Sequence, residues 1–234
     1  MTSKTKMLSL VRDLNWKEIK IAINENPDLL CFTDPKGRSW LHICCSVDIG
    51  SDKNKIKDSI KTAEILIDAG IDINQPAFTE GSWKATPLWY SIGFGRNLPL
   101  SEYLLKHGSE PDHCLWIAAN NNDAGAIRLL SGYGALDLVT NDASPFLAAV
   151  QWNKFAAAEE FLKHGADVNF QDSKKMTALH YLLRKSMDKK YILMLIKYGA
   201  RGDIKNKNDL TAREIMMRKR DSDFHKMAAQ LKVH

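Results

Sequence analysis

The 234 residues contain no run of eighteen apolar residues, so no segment reads as a membrane-spanning helix. No secretory leader is expected, because Arg12 and Asp13 interrupt the apolar stretch near the N-terminus. Cysteine is scarce. Cys31, Cys44, Cys45 and Cys114 never fall at Cys-x-x-Cys spacing, which argues against a structural zinc site. They are expected as reduced, buried thiols in a reducing compartment, with adjacent Cys44 and Cys45 in small core positions. The chain has no Gly-x-Ser-x-Gly elbow, no P-loop and no glycine-rich dinucleotide fingerprint. Its seven histidines never form a His-x-x-x-His pair. His107, His113 and Cys114 lie close in sequence, yet they read as surface residues and not as metal ligands. Glu159 and Glu160 are adjacent, so they point to different sides of a helix and cannot act as two acids at one site. They are expected on a solvated face. No catalytic residue, cofactor site or metal site is therefore expected.

What is present is an ordinary apolar content of 44% and an uneven charge. From Lys174 to His234 there are 16 Lys and Arg against 6 Asp and Glu. The preceding residues are net acidic, although the whole chain carries +5. Such a basic end suits a solubilising cap, or a partner that is acidic or is nucleic acid.

The stretch from Asp142 to Asp172 reads as one supersecondary unit. Ser144-Pro145 opens a first helix, with Ser as cap and Pro at the first helical position. A polar break at Gln151-Trp152-Asn153-Lys154 precedes a second helical run, Phe155 to Leu162. Gly165 ends that run as a left-handed cap, and Ala166 to Asn169 read as extended. The unit returns about 33 residues later. Thr177-Ala178-Leu179 aligns with Ser144-Pro145-Phe146, and Lys197-Tyr198-Gly199-Ala200 aligns with Lys163-His164-Gly165-Ala166.

Thr177-Ala178-Leu179-His180 and His164-Gly165-Ala166-Asp167-Val168-Asn169 resemble the two signatures of the ankyrin repeat. Openings of this kind recur near positions 39, 86, 113, 144, 177 and 211. The resemblance implies an all-α solenoid of stacked helix-turn-helix units with short β-hairpin-like loops, in one domain spanning 1–234. Its units would be an N-terminal cap (1–33), 34–74, 75–108, 109–138, 139–171, 172–204 and a C-terminal cap (205–234). Leu8, Val11 and Leu14 mark the cap's first helix. Between Ser39 and Gly70 about ten extra residues are inserted, within Ser46 to Ser59; their Asp and Lys content predicts an exposed segment. Leu41, Leu88, Leu115, Phe146 and Leu179 should be core. His42 and His180 occupy a position where the family's histidine makes a structural hydrogen bond.

For function, the resemblance implies a non-catalytic, monomeric, cytoplasmic module that binds another protein through a concave surface of hairpins and first helices. Carried onto this sequence, the contact positions are Arg38, Trp83, Lys84, Asn120, Asn121, Gln151, Trp152, Lys174, Arg184, Lys185 and Lys207. Trp83 and Lys84 would stand at a hairpin tip. Trp83 and Trp152 are the candidate exposed anchors, whereas Trp40, Trp89 and Trp116 are expected in the core. Two alternatives stay open. One is a binder of nucleic acid or an anionic surface through the basic third, with Arg218-Lys219-Arg220 as its local feature. The other is a bacterial effector or accessory protein acting on a host protein after delivery into a host cell.

Overall fold

Short helices arranged in antiparallel pairs account for nearly all the regular structure. The structure, a computed structural model, describes residues 2–80, 83–111, 114–135, 144–185 and 188–232, for 79, 80 and 83 the backbone alone. The chain divides into two compact units, Met1–Ile117 with Gly132–Ala135, and Ala118–Ser131 with Leu136–His234. In the first unit the helices are α1 (Lys4–Arg12), α2 (Trp16–Glu25), α3 (Trp40–Cys45), α4 (Lys53–Asp68), α5 (Pro87–Tyr90) and α6 (Leu98–Lys106). A π-helical turn, Ser91–Gly95, follows α5 directly. Helix α7 (Cys114–Asn120) straddles the division. The second unit holds α8 (Ala124–Gly132), α9 (Pro145–Gln151), α10 (Phe155–Lys163), α11 (Ala178–Arg184), α12 (Lys189–Lys197), α13 (Ala212–Met217) and α14 (Ser222–Gln230). In the first unit α3 packs on α1 and α5, and α4 on α2 and α6; in the second, α11 packs on α9 and α13, and α12 on α14.

The sequence explains where these helices start and stop. Ser144 Oγ accepts the Leu147 N–H at 3.0 Å, with Pro145 at the first helical position. Gly165 has φ +87° and Gly199 has φ +86°, the left-handed conformation that ends each second helix. Leu41, Leu88, Leu115, Phe146 and Leu179 are all buried, as is Trp40, whose indole N–H donates to the Leu29 carbonyl at 2.7 Å. Trp89 and Trp116 are only half-buried, against the expectation that they are core. In α1 the buried stripe is Met7, Leu10 and Val11, Leu8 is half-buried, and Leu14, buried too, lies beyond the end of the helix.

Two other expectations change. The four residues Ala166 to Asn169 are not extended: Asp167 Oδ1 accepts the Asn169 N–H at 2.8 Å and folds them into a turn. The inserted residues are not uniformly exposed. Asp52 caps α4, so the second half of the 46–59 stretch becomes extra turns at the start of a 16-residue helix. Asp48, Asp52, Lys53, Asn54, Lys55 and Lys57 do face solvent. Ile49, however, is buried, and Ser59 lies in the interior, where its hydroxyl accepts from Asn97 Nδ2 at 2.8 Å.

Neighbouring pairs within a unit are joined by polar side chains, of which His42 and His180 are buried. His42 Nδ1 accepts from the Ser39 N–H at 3.1 Å and lies 2.8 Å from the Ser39 hydroxyl. That leaves its ring proton on Nε2, which faces the Ala85 carbonyl at 3.2 Å. His180 repeats the arrangement with Thr177 and the Leu210 carbonyl. Asn74 donates to the Gly108 carbonyl at 2.9 Å and accepts the Glu110 N–H at 2.9 Å; Asn169 does the same with Gly199 and Arg201.

Glu160 departs from the solvated face expected of it. It is 3% exposed and receives Arg128 Nε from α8 at 2.8 Å and Lys163 Nζ at 3.1 Å. The Arg128 hydrogen bond leads in holding its carboxyl down at about 2. Cys44 and Cys45 are buried, and burial pushes the Cys44 thiol up to about 12. Cys31 is exposed, unlike the other three.

Two outcomes follow for stability. Gly165→Val should cost roughly 1–3 kcal/mol on urea unfolding. Nothing lies within 4 Å of the added Cβ, so the cost would come from the positive φ alone. The second outcome concerns pH. Burial is the main reason that the His42 imidazole is lowered from 6.5 to about 4. The unfolded chain therefore takes up a proton that the folded chain refuses. Stability should be full above pH ~6.5 and fall as pH drops towards ~4, by on the order of 3 kcal/mol from this residue. Urea unfolding at several pH values should show the slope, and His42→Gln should flatten it; an unchanged slope would refute this account.

Candidate binding surface

The outermost turns of the repeats are built by one device. Asp34 Oδ1 accepts the N–H groups of Lys36 and Arg38 at 2.8 and 3.0 Å. Asp172 Oδ1 does the same for Lys174 and Met176, both at 2.9 Å, and Asn206 Oδ1 for Asn208 and Leu210. Side chains such as these favour turns because they replace the lost backbone partners. Each turn has a residue with positive φ: Gly37, Lys175 and Asp209. Only position 37 demands glycine for space, since a Cβ there would lie 2.1 Å from the Ala77 carbonyl oxygen.

In the second unit these turns and the helix ends gather several of the expected contact residues. Trp152 caps α9 and is 44% exposed. On either side of it, the Gln151 carbonyl and Asn153 Oδ1 both accept from Lys185 Nζ, which reaches across from the end of α11. Next to Lys185, the exposed Arg184 guanidinium sits 5.1 Å from the Tyr181 ring. The Tyr181 hydroxyl in turn donates to Asp172 Oδ2 in a very short hydrogen bond, tying this helix to its turn. Burial is the main reason that the Tyr181 hydroxyl is pushed up to about 12. On the turns, exposed Lys174 offers its carbonyl to the Lys207 N–H at 3.3 Å, and Gln171 Nε2 donates to the carbonyls of Lys175 and Lys205. Thus Gln151, Trp152 and Lys185 are brought together, with Arg184 alongside, and Lys174 is set beside Lys207.

The remaining positions are not assembled into these groups. Asn120, exposed, and Asn121, half-buried, end α7. In the first unit Arg38 is tied to Asp34 at 2.7 Å. Trp83 and Lys84 form β2, which pairs antiparallel with β1 (Thr79–Glu80), Glu80 opposite Trp83 and Thr79 opposite Lys84. They therefore lie on the return strand and not at the hairpin tip; the Trp83 side chain is outside the described residues, as is His113. Among the described residues, no group of three or more His, Cys, Asp or Glu is placed to hold a metal ion, and no helix is long and apolar enough to cross a membrane. A minority of the cations in the basic third are matched by acid among the described residues: Arg201 pairs with Asp203, Lys189 with Asp221 and Asp223, and Lys190 with Asp188.

Sequence reasoning missed one cluster altogether. Lys36, Phe78, Ala85, Trp89, Tyr90 and Phe94 line a cleft of about 290 Å³ in the first unit. Phe94 packs against Tyr90 and Trp89 at ring-centre distances of 5.5 Å each, and Trp89 lies edge-on to Tyr90 at 5.2 Å. Tyr90 and Phe94, four apart, look like a core stripe on an ordinary helix. The π-turn rotates Phe94 outward, leaving it 53% exposed. The available signal was the pair Gly93 and Gly95 flanking it inside an apolar run.

A family model described as ankyrin repeats (3 copies) matches residues 115–208. No curated protein matches the sequence. Among solved structures, the ankyrin repeat domain of Bcl-3, a member of the IkappaB protein family, is similar at TM-score 0.74 and 18% identity, covering 95% of this chain and 97% of that one. The human ASB11 ankyrin repeat domain is similar at TM-score 0.68 and 17% identity, covering 97% and 98%. An ankyrin repeat domain from Acinetobacter baumannii AYE gives TM-score 0.64 and 19% identity, covering 85% and 100%.

Trp152 and Phe146 lie on the same short helix segment with opposite exposures, 44% and 1%. Trp152→Ala should change unfolding free energy by no more than ~1 kcal/mol. Phe146→Ala should cost ~3–5 kcal/mol by opening a cavity. Equal losses in denaturant titrations would place Trp152 in the core.

Proposed function

We propose that this ankyrin-repeat protein is a non-catalytic module that binds another protein through its turns and first helices. Ankyrin repeats generally serve as protein–protein interaction modules, and their fold is typically a scaffold without catalysis. The observation that carries the reading here is the Trp152 patch. A large aromatic stands exposed at a helix end, fixed between two groups that hold Lys185, with Arg184 alongside. Exposed Trp and Arg are over-represented among residues that dominate binding energy. Because Lys185 is held by α9 and not loose in solvent, less side-chain entropy is lost when a partner docks. Asn120, Asn121, Lys174 and Lys207 extend this surface along the second unit; Arg38, Trp83 and Lys84 serve the first.

The nucleic-acid alternative draws on charge alone. Arg201, Lys189 and Lys190 are matched by carboxylates, and the net positive excess of the basic third is accompanied by no known nucleic-acid motif.

The test is affinity capture from the source cell, identification of the partner and titration with purified variants. Trp152→Ala should weaken binding by ~2 kcal/mol or more while the melting curve is unchanged. Lys185→Glu should weaken it further and make it less salt-dependent. Undiminished affinity in both variants would rule out this surface. A partner that proves to be nucleic acid, bound with a steep salt slope, would favour the alternative.

A further inference from the structure

The aromatic cleft of the first unit is constructed, not accidental. Phe94 sits between two glycines whose backbones are pressed against neighbours. A Cβ on Gly95 would lie 2.3 Å from the Cys45 carbonyl oxygen, and one on Gly93 would lie 2.9 Å from Ile117 Cγ1. Both flanks are thus pinned to the interior, and the π-turn between them has no freedom to bring Phe94 inward. π-Bulges of this kind are frequently found at functional sites. Opposite Phe94, Phe78 is 52% exposed on the segment entering β1, and Ala85 closes the floor. The Ala77 N–H donates to the Ala85 carbonyl and the Ala85 N–H to the Phe78 carbonyl, so that wall is held by two backbone bonds.

Among its described lining residues the cleft carries charge of one sign, and the described carboxylate that acts on Tyr90, Asp34, is paired with Arg38 at 2.7 Å. Lys36 forms part of the lining, and the six described lining residues include no carboxylate. Lys84 is exposed next to Ala85, and Arg96 is exposed immediately after Gly95. Among the described residues no ion pair engages Lys36, Lys84 or Arg96, although Arg38, Lys61 and Lys106 of the same unit are each paired with a carboxylate. The cleft's size also restricts its occupant. At about 290 Å³ it falls at the lower limit of pockets that enclose a small organic ligand, and it suits one large side chain.

From this geometry we infer that the cleft is a docking site for an acidic protein segment, with one large apolar side chain seated among Phe78, Trp89 and Phe94 and flanking Asp or Glu residues facing Lys36, Lys84 and Arg96. The inference rests on the protein-binding reading and adds a second contact, in the other unit, with its own chemistry. Rigid aromatics supply contact area at low entropic cost, and the cations select the partner's charge and speed its approach.

The test is selection of a display library of random peptides, about twelve residues long, on the full chain, with the Phe94→Ser chain as counter-selection. Enriched peptides should carry Phe, Leu, Trp or Met with acidic residues beside it. The best of them, labelled and titrated by fluorescence polarisation, should lose about tenfold or more in Kd on Phe94→Ser. It should lose about fivefold on Lys36→Glu, which sits on a solvent-exposed turn and keeps the test decisive if Phe94→Ser does not fold. Enrichment of basic or uncharged peptides, no enrichment, or equal affinity for parent and variant chains would overturn the inference. A dimer that Phe94→Ser dissolves would also overturn it, showing that a second copy fills the cleft. If this selection fails while Trp152→Ala and Lys185→Glu abolish capture of a partner, the cleft is discarded and the broader binding reading stands.

Discussion

A six- or seven-residue helix cannot satisfy its own backbone. The first four N–H groups and the last four carbonyls of any helix lack partners inside it, so in α3 or α9 the ends are almost the whole element. The rest of the structure depends on how that deficit is met. Ser39, Thr86, Ser144, Thr177 and Thr211 stand at the starts of the first helices. At the next level, a side chain from one pair completes the backbone of the following pair: His42 at Ala85, Asn74 at Gly108 and Glu110, Asn122 at Ala157, His180 at Leu210 and Asn169 at Gly199 and Arg201. These polar joints are specific in a way that leucine packing is not, because a buried donor displaced from its acceptor costs more than a shifted methyl group.

With backbone needs met from inside, the outer residues of the turns are free to differ. Lys36, Pro35, Lys174, Ser173, Lys207 and Asn208 all occupy turns whose shape is set by a preceding Asp or Asn. This division of labour lets one fold present an aromatic cleft in one unit and a Trp with cations in the other. The basic third keeps a net excess of positive charge. Several of its lysines and arginines are engaged locally by Asp188, Asp203, Asp221 and Asp223.

Most of the fold was legible because its signals are local. Capping residues, closing glycines and apolar spacing recur at a fixed period, and each can be read within a window of a few residues. What was not legible depended on neighbours. Nothing in Glu160 itself says that Arg128, on another helix, removes it from solvent. The Asp and Lys content of the insertion points to exposure alone and does not single out Asp52 as the cap that starts α4. Phe94 was hidden for a geometric reason: a single π-turn shifts the phase of the helix, and spacing arguments assume a constant phase. The Trp152 patch was half visible. Its Trp in a polar break could be seen, whereas the link to Lys185, 34 residues on, could not.

The polar joints have a common reach. His42 to Ala85 spans 43 residues, Asn74 to Gly108 34, Asn122 to Ala157 35 and His180 to Leu210 30, so each ends in the adjoining helix pair. Among the described residues, each of these joints ties a helix pair to its immediate neighbour. Chains of this type close short loops first and have low relative contact order, which favours fast folding from several starting points. The same range limits cooperativity: losing one joint loosens two adjacent pairs and leaves more distant ones intact. Amide exchange in each unit should therefore fall into blocks the length of a repeat, and not into one protected core surrounded by mobile edges.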